Sequence, residues 1–129
     1  MNILDKDSVV GISALLVHAA KIDEIYSDHE KDLIRNFIKS YLKDGNTNVI
    51  LKKAEEIENN SNQLLDFTNI IKENSNDIKK NVIEHLWKVI ISDDSVDQYE
   101  SNLMRRICGL IYFPDKECAE IKLKLINSK

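Results

Sequence analysis

Apolar residues recur at spacings of three and four along nearly the whole chain, which is the period of one face of an α-helix. This pattern predicts a compact bundle of about seven helices. They are expected at about Ser8–Ile22, Asp28–Leu42, Thr47–Ile57, Leu64–Asn74, Ser75–Ile90, Gln98–Tyr112 and Asp115–Ile126. Asp44 and Gly45 are expected to stop the second helix, Thr47 to cap the third, and the run from Asn59 to Asn62 to form a loop.

Composition supports an all-α fold. The chain has 129 residues but only 3 Gly and 1 Pro, so it lacks the turn residues that hairpins and many-stranded folds need. No segment reads as a linker long enough to divide it, and we predict a single domain over residues 1–129. A chain of this size can bury a sufficient core without a structural metal.

Charge and cysteine content indicate which kinds of binding partner and which cellular compartment to expect for the protein. With 18 Lys+Arg against 22 Asp+Glu, the net charge of −4 argues against a nucleic-acid partner, which would need a basic surface. The stretch from Ser8 to Ala20 is too short and too polar to span a bilayer, although the sequence leaves peripheral membrane association open. Cys108 and Cys118 form no metal-ligand pair, and such sparse cysteines are typical of a reducing compartment. We therefore expect a cytoplasmic protein.

Self-comparison indicates an internal repeat at an offset of 70 residues, with units at about 8–43 and 78–113. The offset places Leu16 on Leu86, Asp23 on Asp93 and Glu30 on Glu100. Each unit reads as a helix, a short acidic loop and a second helix. The bundle is therefore predicted to contain two pseudo-symmetric hairpins.

Two acidic residues in each unit lie seven positions apart and in register with the apolar stripes of the flanking helices. Carboxylates in such positions are costly unless they are protonated, paired, hydrogen-bonded or bound to a metal ion. We predict a divalent-cation site formed by Asp23, Glu30, Asp93 and Glu100. Carboxylate oxygens favour Ca²⁺, Mg²⁺ or Mn²⁺ over Zn²⁺.

Purely structural explanations exist for each of these residues. Ser27 with Glu30, and Asp97 with Glu100, have the spacing of a capping box, in which the glutamate binds the first amide of its own helix. Asp23 could instead start a turn and bind loop amides. An ion-pair network with the arginines that follow the glutamates would also neutralise them; these are Arg35, Arg105 and Arg106.

The same residues resemble the tellurite-resistance TerB-like family, whose all-helical domain also occurs at the N-terminus of some membrane-tethered DnaJ-like co-chaperones. The resemblance covers most of the chain. Its carriers are Ala14–Leu16, Asp23, Glu30–Ile34, Leu86–Val89, Asp93 and Glu100–Ile107. The family usually has glycine after each aspartate, where this chain has Glu24 and Asp94. The resemblance implies a divalent-metal site at the four carboxylates and a role in stress response or as a binding module, without a reaction.

Two functions fit these observations. The first is a non-enzymatic module in which a cation pins the two hairpins together and fixes a surface for a protein partner. The alternative is a small metal-dependent hydrolase that uses the same carboxylates to activate water. We favour the first, because the sequence offers no base, nucleophile or cationic clamp near the acidic loops apart from the three arginines.

The histidine, cysteine and tryptophan side chains are predicted to have structural rather than chemical roles. The three histidines, His18, His29 and His85, share no ligand spacing with one another or with a cysteine. Both cysteines fall on apolar helix faces and are interpreted as small buried hydrophobes. Trp87 is expected to anchor the core.

Overall fold

The computed structural model describes residues 5–21, 26–42, 46–61, 65–91 and 98–127. Within these ranges the secondary structure is helical, with seven helices and no strand. The helices are α1 (Lys6–Ala20), α2 (Asp28–Tyr41), α3 (Thr47–Asn60), α4 (Leu65–Lys72), α5 (Asn76–Ile91), α6 (Gln98–Leu110) and α7 (Asp115–Asn127). The predicted all-α architecture is confirmed.

The predicted N-cap of α3 is wrong by one residue. The cap is Asn46, whose side-chain oxygen accepts hydrogen bonds from the amides of Asn48 at 3.2 Å and Val49 at 3.4 Å. Asparagine caps a helix better than threonine does, so Thr47 becomes the first helical residue. The predicted loop at Asn59 is also wrong at its start, since α3 continues through Asn60.

Other helix ends follow local side-chain chemistry. Asp5 caps α1 through the amide of Ser8 at 2.7 Å, so this helix begins two residues earlier than predicted. Ser75 accepts a hydrogen bond from the amide of Ile78 at 3.4 Å and starts α5 as predicted. At the end of α6, Tyr112 has a φ of 58°, which stops the helix before Pro114. The predicted stop at Asp44–Gly45 lies outside the described residues.

Helix α1 is the centre of the bundle. It packs against α2, α3, α4 and α5, and eleven of its 15 residues are buried around its whole circumference. A helix that is apolar on all sides is stable only when other helices enclose it. Gly11 allows α4 to approach closely, because a Cβ at this position would overlap the end of the Ile70 side chain.

The second half of the chain is packed differently from the first. Helix α5 makes its most extensive contacts with α7 and α1, and it also packs against α2 and α4. Helix α6 packs against α4 and α7. In the first unit, by contrast, α1 and α2 pack directly on each other. The predicted pseudo-symmetry of the two hairpins is therefore not confirmed by the described residues.

Helices α2 and α5 run antiparallel, as two contacts between them show. The rings of Phe37 and His85 lie 5.1 Å apart, and Asn81 donates a hydrogen bond to the hydroxyl of Tyr41. Four residues forward along α2 thus correspond to four residues backward along α5. At a rise of about 1.5 Å per residue, Glu30 lies about 10 Å before Phe37, and Ile91 lies about 9 Å beyond His85 in the same direction. The start of α2 and the end of α5 therefore share one end of the bundle.

The central position of α1 predicts a large cost for truncating its buried side chains. Leu16 is 0% exposed, whereas Leu123 on α7 is 56% exposed. We expect Leu16→Ala to lower the free energy of unfolding by roughly 2–5 kcal/mol, because it removes buried methyl groups and leaves a cavity. The same change at Leu123 should have an effect within about 0.5 kcal/mol. Urea denaturation of both variants checks this, and equal losses would contradict a core centred on α1.

Candidate functional site

The structure describes one of the four predicted cation ligands in full. Asp23 and Asp93 lie outside the described residues. Glu100 lies in α6, but its side chain is also outside the described part of the chain. Glu30 is described and is 4% exposed, which makes it a buried carboxylate as the sequence predicted. The convergence of all four residues remains a prediction.

Glu30 forms the capping box that the spacing predicted. The hydroxyl oxygen of Ser27 accepts a hydrogen bond from the amide of Glu30 at 3.2 Å. In return, Oε1 of Glu30 accepts hydrogen bonds from the amide of Ser27 at 2.8 Å and from its hydroxyl at 3.1 Å. These contacts hold the carboxylate in place at the start of α2. The capping interpretation is thus confirmed for Glu30.

The described contacts of Arg35 lie along α2 and toward α3. Its guanidinium donates to Oδ1 of Asp32 at 2.6 Å and to the side-chain oxygen of Asn48 at 3.0 Å. Arg105 and Arg106 are exposed on α6. Arg35 therefore ties the surface of α2 to the first turn of α3.

Helix α3 adds two acidic residues to the same end of the bundle. Glu55 accepts a hydrogen bond from the hydroxyl of Tyr26, just before α2, at 2.7 Å. Glu58 accepts one from Lys21, just after α1, at 2.8 Å, and its other oxygen lies 3.2 Å from Nδ1 of His18. The two glutamates are three residues apart and so share one face of α3. That spacing was visible in the sequence, but nothing in it indicated which helices they contact.

These contacts shift the pKa values of Tyr26 and Glu58. Burial of Tyr26, reinforced by the hydrogen bond to Glu55, raises the pKa of the phenol above its ordinary value. Burial of Glu58 opposes its ionisation, but the hydrogen bonds from Lys21 and His18 dominate and lower its pKa. Each of the two glutamates accepts a hydrogen bond. Together they hold Tyr26 and Lys21, which lie on either side of the stretch between α1 and α2.

The end of α1, the start of α2 and the end of α5 lie at one end of the bundle. Residues 22–25 follow α1 and precede α2, and residues 92–97 follow α5. Glu30, by the α2–α5 register, lies at the level of Ile91. Among the residues whose side chains are described, no group of three or more His, Cys, Asp or Glu could by itself hold a metal ion.

Fold and site together define a small all-helical domain in which the start of α2, with the buried Glu30, and the end of α5 lie at one end of the bundle. A family model described as tellurite resistance protein TerB matches residues 10–123, and the chain belongs to that family. No curated protein and no solved structure gives a significant match. None of the described helices is long and apolar enough to cross a membrane.

Loss of the capping box should destabilise α2 in a measurable way. We expect Ser27→Ala to reduce the free energy of unfolding by about 0.5–2 kcal/mol, because it removes both hydrogen bonds of the Ser27 hydroxyl to Glu30 and leaves only the one from the Ser27 amide. Ser40→Ala is the matched control, since it also removes a serine hydroxyl from α2, one that donates to the carbonyl of Phe37 in the last turn rather than capping the helix start, and alanine is the better helix former. Chemical denaturation compares the two, and a control that loses as much stability as Ser27→Ala would rule out a special role for the cap.

His85 should make the folded state sensitive to acid. It lies on α5, half-buried against Phe37 of α2, and its Nδ1 donates to the carbonyl of Asn81 at 2.9 Å; burial lowers its pKa below 6.5. The unfolded chain therefore takes up this proton at a higher pH than the folded chain does. Stability should be complete above pH 6.5 and should fall as the pH drops through the lowered folded pKa.

Replacing His85 by leucine keeps an apolar contact with Phe37 and removes the titrating group. We expect the variant to have a clearly smaller pH dependence of unfolding than the parent between about pH 6.5 and pH 5.5, above the range in which carboxylates titrate and below that of the cysteine thiols. Urea midpoints measured across this range test the assignment. A variant with the parent's full pH dependence would place its source elsewhere.

Proposed function

We propose that this chain is a non-enzymatic TerB domain that binds a divalent cation between its two acidic segments. The ligands would be Asp23, Glu30, Asp93 and Glu100. The observation that carries the proposal is the antiparallel register of α2 and α5, which sets Glu30 at the level from which residues 92–97 continue the chain.

The residues have suitable chemistry for a hard cation. All four offer carboxylate oxygens, which Ca²⁺, Mg²⁺ and Mn²⁺ prefer. Glu30 is held by two hydrogen bonds from Ser27. Hydrogen bonds of this kind commonly orient a carboxylate that also binds a metal. The capping box is thus compatible with cation binding by Glu30.

A bound cation would act as a cross-link between the two halves of the chain. Residues 22–25 and 92–97 together contain five acidic residues and no basic one, so a cation reduces their mutual repulsion. It would also tie the end of α5 to the junction between α1 and α2. We propose that this fixes a surface for a protein partner and that the domain acts in a stress response, as the family's description suggests.

No reaction is proposed for the four carboxylates. A hydrolase would need a base for the attacking water and a group that holds the substrate. Three cationic side chains described beside this end already have partners: Lys21 pairs with Glu58, Arg35 pairs with Asp32, and Lys31 lies over the ring of Tyr26. They serve better as structural ties than as a substrate clamp.

Calorimetric titration of Ca²⁺, Mg²⁺, Mn²⁺ and Zn²⁺ into chelator-stripped protein tests the site. We expect saturable binding of at least one of the first three ions, weaker binding of Zn²⁺, and loss of binding in the double variant Asp23→Asn/Asp93→Asn. Because a ligand that binds only the folded state stabilises it, a cation at about 100 times its Kd should add about 2.7 kcal/mol to the free energy of unfolding.

The matched control is Asp7→Asn/Asp77→Asn. These exposed aspartates lie in the first turns of α1 and α5, so the control removes the same charge from the same two helices at their other ends. It should bind the cation like the parent protein. Equal binding by both double variants, or no binding by the parent, would overturn the proposed site.

A further inference from the structure

The two cysteines of the chain meet where α6 and α7 pack together. Cys108 is 1% exposed and Cys118 is 5% exposed, and both are free thiols. Their side chains are hydrogen-bonded to each other. The indole N–H of Trp87, on α5, also donates to the sulfur of Cys118 at 3.3 Å. Cys118 is therefore a sulfur that accepts two hydrogen bonds.

The turn between the helices creates this pairing. The amide of Phe113 donates to the carbonyl of Cys108 at 2.9 Å, and the amide of Cys118 donates to the carbonyl of Pro114 at 3.1 Å. The chain therefore reverses within a few residues, and α7 returns along α6. The sequence correctly predicted two buried cysteines and a buried Trp87, but the ten-residue spacing gave no indication that the thiols face each other.

Hydrogen bonding divides the pair into an acidic and a non-acidic thiol. The hydrogen bond from Cys108, followed by that from Trp87, outweighs burial and lowers the pKa of Cys118 to about 7. The same interaction, together with burial, raises the pKa of Cys108. The charged neighbours act in opposite directions, since Asp115 disfavours the Cys118 thiolate and Lys122, which lies over the Trp87 ring, favours it.

We propose that Cys118 and Cys108 are a redox site at which a small hydroperoxide forms an intramolecular disulfide between α6 and α7. The Cys118 thiolate attacks one peroxide oxygen, the O–O bond breaks, and the departing hydroxide takes up a proton to leave as water. The resulting sulfenic acid is then attacked by the sulfur of Cys108, which gives up its proton as a second water leaves. In total, two thiols lose two electrons and two protons, and one hydroperoxide is reduced.

The location suits a small neutral oxidant. The thiols lie beneath α7, whose main packing partners are α5 and α6 and whose outer face exposes Leu123 and Ile126. A helix with so few neighbours opens locally at a lower cost than a central helix such as α1. Hydrogen peroxide is small and uncharged, so a brief opening admits it to an apolar site. This inference is independent of the cation site.

The test treats the folded, reduced chain with hydrogen peroxide and follows the intact mass and the peptide map. We expect a monomer that has lost two hydrogen atoms, with the peptides of Cys108 and Cys118 joined. In Cys108→Ser, the oxidised Cys118 should persist as a sulfenic acid that a dione reagent traps. In Cys118→Ser, Cys108 should be oxidised at least roughly tenfold more slowly than Cys118 is in Cys108→Ser, because the Cys108 thiolate is scarce.

Unfolded protein provides the control for the role of the fold. In concentrated urea the two cysteines should react at similar rates, since the hydrogen bonds to Cys118 are lost. Circular dichroism of both serine variants verifies their folding, and the corresponding alanine variants replace any that unfold. Disulfides formed only between molecules, equal rates for the two cysteines in the folded chain, or no reaction of the parent while free glutathione is consumed would each overturn the proposal.

Discussion

Enclosure of α1 on all sides is the constraint on which the other features depend. Because this helix carries apolar side chains around its circumference, four other helices must pack against it, and its two ends become fixed points of the bundle. Its last turn then places Lys21 beside Glu58 of α3. The junction with α2 begins from that position, so the core determines where the first acidic segment starts.

The end of the bundle near Glu30 combines burial with charge in an ordered way. Glu30 is satisfied by the cap of its own helix, Glu55 by a phenol, and Glu58 by two basic side chains. Each carboxylate thus has a local donor before any cation is considered. A buried donor is also paired between α5 and α7, where the indole N–H of Trp87 donates to the sulfur of Cys118. The hydrogen bonds of Glu55, Glu58 and Trp87 thus link segments that are distant in sequence.

Local features of the sequence predicted most of the fold. Helical periodicity located all seven helices, and the Ser27-to-Glu30 spacing predicted the capping box, because both depend on residues within one or two turns. The N-cap of α3 was placed at Thr47 instead of Asn46 because two residues that can cap a helix are adjacent there. The start of the loop at Asn59 was misjudged because the packing of α3 on α1 outweighs the low helix propensity of asparagine.

Pairings between distant helices were beyond what a single sequence could supply. The spacing of Glu55 and Glu58 put them on one face, but only the packed structure brings Tyr26 and Lys21 to them. The 70-residue repeat likewise predicted corresponding helices but not their different neighbours, since α5 contacts α7, which lies beyond both repeat units.

Paramagnetic broadening of amide signals by substoichiometric Mn²⁺ tests the central claim most directly, because it locates the ion on the folded chain. The account predicts that the first signals to disappear are those near Ala20, Glu30 and Ile91, while those near Asp7 and Asn76 persist. A different group of acidic side chains lies between α5 and α7, where a groove of about 440 Å³ is lined by Asp77, Glu84, Glu117 and Glu120 together with Lys80 and Lys124. Broadening that begins in this groove, or that is uniform over the molecule, would contradict the account.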